Sequence, residues 1–279
     1  MEYRIIGDSC LDLTDDLKNR ENVAIVPLTL QVDGVDYVDD SSFDQKAFLK
    51  AVAASEECPK SSCPSPEHFK EAYGDDEVTV FGVTLSAELS GSYNSAMIGR
   101  QLSLEEHPDK KIHIFNSRSA SAGETLIAMK IIECVESGCS FDETIRKVEE
   151  YIDSQQTMFV LENLETLRKN GRLTGVKATL VSVLNIKPVM IATPRGTIDQ
   201  KSMGRGMKKA VLKMAEEVGS LVKQTEDRVF AIAHCNCYER AITLKKEILK
   251  RYHFKEVIIV NTAGVSTMYA NDGGVIVAF

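Results

Sequence analysis

The chain has 279 residues, 43% of them hydrophobic and 27% charged, which is the composition of a globular protein large enough for one big domain or two modest ones. Its 41 acidic against 33 basic side chains leave a formal charge of -8, so the surface repels phosphate backbones and nucleic acid is excluded as a natural partner. Seven cysteines without a disulfide-scaffold spacing, and an opening that runs from Met1 straight into strand-like sequence instead of a cleavable signal, point to a reducing, cytoplasmic setting. No run reaches the roughly 20 apolar residues of a membrane span; the most apolar stretch, 176–192, is broken by Lys177, Asn185, Lys187 and Pro188.

In chain order, short β-branched runs at 3–7, 23–30, 78–83, 111–115, 158–161, 189–192, 229–233 and 257–260 alternate with amphipathic stretches. That alternation is the pattern of an α/β fold with a largely parallel sheet flanked by helices. Between Val32 and Val35, Asp33-Gly34 predicts a hairpin turn. Ser42 with Gln45 and Ser140 with Glu143 have capping-box spacing, Ser65-Pro66 places a cap before a proline, and Gly74 and Gly138 predict helix stops. After Gly196 the pattern restarts with a strand at 197–201, a helix at 205–222, a strand, a helix at 238–252 and further strands. Two α/β domains are therefore expected, 1–155 and 156–279, with the segment near 55–78 expected to pack against the second.

Three hydroxyl-rich loops each join an extended segment to a helix: Ser61-Ser62-Cys63-Pro64-Ser65, Leu89-Ser90-Gly91-Ser92-Tyr93, and Asn116-Ser117-Arg118-Ser119-Ala120-Ser121-Ala122-Gly123. In an open α/β sheet such loops meet at the ligand crevice, where helix N-termini offer N–H groups to an anion, so a small anionic head group is the natural guess. Helix capping by serine is the plainer reading of any one loop. The second loop is the strongest candidate, because Gly91 lets a ligand approach the backbone. Neither a Walker-type phosphate loop nor a Gly-x-Gly-x-x-Gly fingerprint occurs; Gly204-Arg205-Gly206 lacks the third glycine. Nucleophile-elbow spacing is also missing, and Ser220-x-x-Lys223 lies within an amphipathic helix. His234-Cys235-Asn236-Cys237 has no partner cluster at zinc-site spacing and reads as a strand end. Arg172, in a glycine-flanked turn within Leu164-Glu165-Thr166-Leu167-Arg168-Lys169-Asn170-Gly171-Arg172-Leu173-Thr174-Gly175, is either an anion contact or a solvated cation.

Taken together, these segments resemble the DegV family from the first strand to the last residue. Asp8-Ser9-Cys10-Leu11-Asp12-Leu13 is similar to its opening Asp-Ser-Thr/Cys-x-Asp-Leu, and Val26-Pro27-Leu28 and Tyr37-x-Asp39 follow in order. Pro59-Lys60-Ser61-Ser62-Cys63-Pro64-Ser65-Pro66 resembles the family's Thr-Ser-x-Pro-Ser loop, with serine for threonine at Ser61. Leu89-Ser90-Gly91-Ser92-Tyr93-Asn94-Ser95-Ala96 resembles Leu-Ser-Gly-Thr-Tyr-Gln-Ser-Ala, and the Asn116 loop, the 167–175 turn, Leu184-Asn185-Ile186-Lys187-Pro188 and His234 complete the set. The resemblance implies a bacterial two-domain α/β protein that encloses one long-chain fatty acid, such as palmitate, stearate or oleate, between its domains. By position, the carboxylate falls to Ser61 or Ser62 and to Ser90, with Gly91, Arg172 and Tyr269 nearby. It also implies no cofactor and no metal, and a fatty acid kinase whose separate ATP-binding subunit phosphorylates the presented carboxyl group. The chain departs from the family at its end, where Tyr269-Ala270-Asn271-Asp272-Gly273 replaces a usual His-x-Gly-Pro-Gly.

Two other classes stand beside the carrier reading. A hydrolase or transferase acting on an acyl substrate needs a convergent nucleophile and base, which no spacing here assembles. An interaction module with a structural lipid would keep its function when the serine cradle is destroyed.

Overall fold

The computed structural model describes residues 1–173 and 185–279. Thr174 and Gly175 of the cationic turn, Leu184 and the first part of the apolar 176–192 stretch lie outside those residues. The first sheet is formed by β1 (Tyr3–Asp8), β2 (Val23–Val26), which follows it through the short α1 (Asp15–Lys18), β6 (Thr79–Thr84) and β7 (Ile112–Asn116), ordered β2-β1-β6-β7 and parallel throughout. Every residue of β6 is buried, as a central strand covered on both faces requires. Strand alternation sends Ile6, Val26, Val80 and Ile112 toward α3 (Pro66–Tyr73) and α4 (Ser92–Glu106), and Ile5, Phe81, Val83 and Phe115 toward α5 (Ala122–Glu136) and α6 (Phe141–Ser154).

Pro27 divides the expected strand at 23–30. It has no N–H to give a ladder, so β2 ends before it and the chain leaves the sheet. Beyond it β3 (Thr29–Val32) and β4 (Val35–Val38) form the anticipated hairpin, turning through Asp33 and Gly34 at φ 50° and 77°, the double left-handed turn that matches strand twist. With β5 (Lys60–Ser62) they make a small antiparallel sheet ordered β4-β3-β5, packed on α2 (Gln45–Ala54).

The second large sheet is ordered β10-β9-β8-β13-β11-β12, from β8 (Thr157–Val160), β9 (Ile186–Ala192), β10 (Ile198–Arg205), β11 (Val229–His234), β12 (Glu256–Asn261) and β13 (Val275–Ala278). Here the alternation of strands and helices does not give a parallel sheet: only β11 and β12 run parallel. The connection from β9 to β10 is a tight turn, and the C-terminal β13 inserts between β8 and β11 in the opposite direction. One face of this sheet is covered by α8 (Gly206–Leu221) and α9 (Tyr238–Arg251). Its other face meets α5, where Ala122 and Leu126 pack with Ala231, Ala233 and Ile276. Eleven of the fifteen residues of α5 are buried, as expected of a helix held between two sheets.

The Ser140–Glu143 capping box forms, Ser65 caps α3 with Pro66 behind it, and Gly74 and Gly138 stop their helices at positive φ. At α2 the cap is Asp44, whose carboxylate accepts from Lys46 N and Ala47 N. Ser42 instead turns onto Asp40 at 2.6 Å, because a charged acceptor one residue before Gln45 is the stronger cap. Helix α3 packs against α4, β1 and β2, while Asn170, just past α7 (Glu165–Lys169), reaches back to Pro59 O at 3.0 Å. No helix among the described residues is long and apolar enough to cross a membrane. All seven cysteines are free.

Candidate functional site

Because the first sheet is parallel, the loops after β1, β6 and β7 emerge from one edge. Above that edge lies a cavity whose lining is largely apolar, the usual character of a small-molecule site. The first half of the chain contributes Cys10, Leu85, Leu89 and the Arg118–Ser121 segment. The second sheet contributes Phe159, Ala192, Ile198 and Ile276, and Leu161 follows just past β8. The cavity is completed by Leu167, Arg172 and by α10 (Gly264–Ala270), through Val265, Ser266, Tyr269 and Ala270. Its wall is thus mainly aliphatic and aromatic, with hydroxyls and the two cations Arg118 and Arg172 at defined points.

Of the residues singled out in the sequence, Arg172 and Tyr269 line this cavity. Arg172 is placed by the end of α7. Gly171 takes φ 75°, its N–H bonds Arg168 O at 3.0 Å, and Arg172 N–H bonds Leu167 O at 2.8 Å, the paired bonds of a Schellman stop. The guanidinium donates to Leu89 O at 3.1 Å and Asn170 O at 2.5 Å and lies 5.8 Å from the centre of the Tyr269 ring, within cation–π range. Ser61 joins this end through its hydroxyl, 3.1 Å from the Tyr269 hydroxyl. Burial pushes the Tyr269 phenol above its ordinary pKa, against the lowering effects of Ser61 and the Arg172 charge, so Tyr269 is a neutral hydroxyl at neutral pH.

Ser62 follows on the other face of β5. Its side chain is exposed and its nearest partner is Thr29 O at 3.5 Å, as strand alternation dictates. Ser90 and Gly91 line a second, outer groove that shares Leu89 and Arg172 with the main cavity. The Ser90 hydroxyl is 3.1 Å from Ser92 Oγ and accepts from Ser92 N. Arg172 is therefore the charged side chain common to the inner cavity and the outer groove that holds Ser90.

A set of buried acids to which the sequence alone gives no role lies beneath this site. Asp8 and Asp12 are fully enclosed, as is Glu124 on the first turn of α5, and Asp39 is 3% exposed. Asp8 accepts from Cys10 N and Leu85 N, both at 3.0 Å, fixing the two loop starts. Asp12 accepts from Ala263 N at 2.6 Å and from Ser121 Oγ at 2.5 Å, while Asp39 accepts from Gly264 N at 2.6 Å and Val265 N at 2.7 Å. The two carboxylates thus satisfy the first amides of α10. Burial raises Asp8 and Asp39 to about 6 and Asp12 to about 7. Burial, reinforced by the charge of Asp8, lifts Glu124 well above the carboxylate range, and its oxygens have no hydrogen-bond partner among the described residues. Ser121, one of the hydroxyls of the third loop, lines the cavity at φ 57° and ψ -123°, a conformation rare for any residue but glycine. The Asp8-to-Asp12 motif was the signal for this layer, and its spacing alone could not say which side chains turn inward.

His234 is buried with its pKa lowered by that burial, and its Nδ1 accepts from Cys237 N at 3.3 Å. That is a structural strand end. Ser220 turns onto its own helix, donating to Glu217 O at 2.7 Å and to the exposed Glu217 carboxylate at 3.3 Å.

The family model for "Uncharacterised protein, DegV family" matches residues 2–279. A DegV domain-containing protein of Streptococcus pneumoniae is 33% identical, with 100% of this chain and 99% of that protein covered. Among solved structures, a DegV family protein of Ruminococcus gnavus, determined with vaccenic acid, is 51% identical at a TM-score of 0.97, with 99% of each chain covered. The fatty acid kinase B3 protein of Streptococcus pneumoniae, loaded with linoleic acid, is 32% identical at a TM-score of 0.91, covering 100% of this chain and 99% of that one. A match over nearly the whole length, together with the shared fold, places this chain in the DegV family.

Proposed function

We propose that the protein binds one long-chain fatty acid, of the palmitate, stearate or oleate class, without chemically transforming it. The observation that carries this reading is an apolar cavity lined by Leu89, Phe159, Leu161, Leu167 and Ile276 and bounded by the cation Arg172. An acyl tail gains roughly 0.8 kcal/mol for each CH₂ removed from water, while its carboxylate must stay hydrogen-bonded when enclosed. In this reading the tail lies in the cavity, and the carboxylate sits between the Ser61 and Tyr269 hydroxyls and Arg172, with Ser90 and Gly91 across the outer groove and Ser62 turned to the other face of β5. Residues 1–155 and 156–279 act as the two units that enclose it. The vaccenic and linoleic acids of the two related structures support the assignment of ligand class. Gentle purification followed by denaturing extraction and lipid mass spectrometry should release near-stoichiometric acyl chain. A protein that emerges empty and also refuses palmitate and oleate would end the proposal.

The outer groove gives a reason to extend the reading to presentation: a head group at Arg172 is next to a surface that an ATP-binding kinase subunit could reach. Tyr269 stands where the family's usual histidine would. A neutral phenol can hydrogen-bond a carboxylate, but it cannot balance the added negative charge of an acyl phosphate as a protonated imidazole does. With a fatty acid kinase subunit from the same source, Tyr269→His is expected to raise acyl-phosphate formation roughly three- to tenfold, the effect of about 1 kcal/mol, while fatty acid affinity changes little. Equal rates would show that the substitution carries no such meaning.

A further inference from the structure

The main cavity has a second neighbour at its other side. Arg118, Ser119, Thr157 and Ala192 line both the main cavity and a further chamber of about 670 Å³ including its opening. The outer groove at the Arg172 end shares none of these four residues. The chamber therefore adjoins the main cavity at a region separate from the head-group end. Its character is different as well: Ser117, Asp153, Gln155, Gln156 and Thr193 contribute to its wall. The partition is a hydroxyl pair, Ser119 Oγ and Thr157 Oγ1, 2.6 Å apart and nearly enclosed. Gly123 leaves room for this pair, since a Cβ there would lie 2.0 Å from Ser119 Oγ and 3.2 Å from Thr157 Oγ1. On the solvent side Arg118 crosses the chamber to Asp153 at 2.5 Å.

Gln155, at the end of α6, donates its Nε2 to Gly123 O at 2.9 Å, which fixes the orientation of its amide. Its buried Oε1 has no hydrogen-bond partner among the described residues. A polar chamber behind a hydroxyl partition is a poor end for a bare methyl group and a suitable one for a hydroxyl. Resting on the fatty-acid reading above, we propose that the cavity accepts long-chain fatty acids oxygenated at the tail. The ω-hydroxyl displaces the Ser119–Thr157 contact and exchanges hydrogen bonds with those two hydroxyls.

The test is competition of hexadecanoate and 16-hydroxyhexadecanoate, and of the corresponding pair with eighteen carbons, against a fluorescent polyene fatty acid on delipidated protein. In a cavity with an apolar end, the buried hydroxyl would weaken binding by about tenfold or more. Here at least one hydroxylated acid should bind within about threefold of its parent, or more tightly. Gln156 lines the chamber and not the main cavity, so Gln156→Trp should fill the chamber and weaken the hydroxylated acid about tenfold while sparing the parent. Wild-type protein that rejects both hydroxylated acids tenfold overturns the inference, and that ratio decides even if the tryptophan variant does not fold. If neither acid of a pair displaces the probe, the fatty-acid reading falls and takes this inference with it.

Discussion

Asp39→Ala is expected to lower the stability of the protein by roughly 2–5 kcal/mol and to weaken the ligand cavity at the same time. Asp39 lies just past β4 and is 3% exposed. Each of its oxygens takes one amide of α10, Gly264 N at 2.6 Å and Val265 N at 2.7 Å. Removing the carboxylate leaves two enclosed N–H groups without a partner, at about 1–3 kcal/mol each. The fit is close, because a Cβ at Gly264 would stand 2.5 Å from Asp39 Oδ1. Helix α10 supplies Val265, Ser266, Tyr269 and Ala270 to the cavity, so loosening its first turn displaces a whole wall. Asp39→Asn, which keeps one acceptor and turns the other position into a donor, should fall between alanine and wild type. Urea unfolding gives the measurement, with the midpoint shifting at constant slope. An alanine variant within about 0.5 kcal/mol of wild type, the usual range for an unimportant surface change, would show that water or a rearranged loop satisfies these amides.

The fold was largely legible because its signals are local. Asp33-Gly34 names its turn, Ser140 and Glu143 name their cap, and the valine- and isoleucine-rich runs name the strands. Strand direction in the second sheet was not legible, since β13 takes its place between β8 and β11 through pairings far apart in sequence. The same distinction runs through the site. Arg172 could be singled out because a glycine stop aims it, and strand alternation distinguishes Ser61, facing Tyr269, from exposed Ser62. The bond between Asp12 and Ala263, 251 residues apart, has no local signature. Nor does Gln45, which left its expected capping role to reach Thr262 and Thr267.

The enclosed acids also set an unusual direction for pH dependence. Burial raises Asp8 and Asp39 to about 6 and Asp12 to about 7 in the folded protein, whereas an unfolded aspartate titrates near 3.9. Between those limits the folded state binds more protons than the unfolded one, so stability falls as pH rises. The contribution is fully present below about pH 4 and is lost as pH climbs through 6 to 7. Surface carboxylates such as Asp76 and Glu143, whose pKa values are lowered by the Arg4 bond and the Ser140 cap respectively, act in the opposite sense at lower pH. A stability optimum in mildly acidic solution is therefore expected. Asp12 makes the sharpest test, because its charge interacts with Asp39, Glu124 and Cys10, and its raised value corresponds to roughly 2–4 kcal/mol across the window. Asp12→Asn keeps an acceptor for Ala263 N, and Ser121 can reverse its hydrogen bond to accept from the new amide. The variant loses the ionisation. Its stability relative to wild type should consequently improve by about 2–4 kcal/mol between pH 5 and pH 8, read from urea midpoints at the two pH values. An unchanged difference at both would mean that Asp12 is already ionised at pH 5 in the folded protein, held there by the Ala263 amide and the Ser121 hydroxyl against the pull of burial.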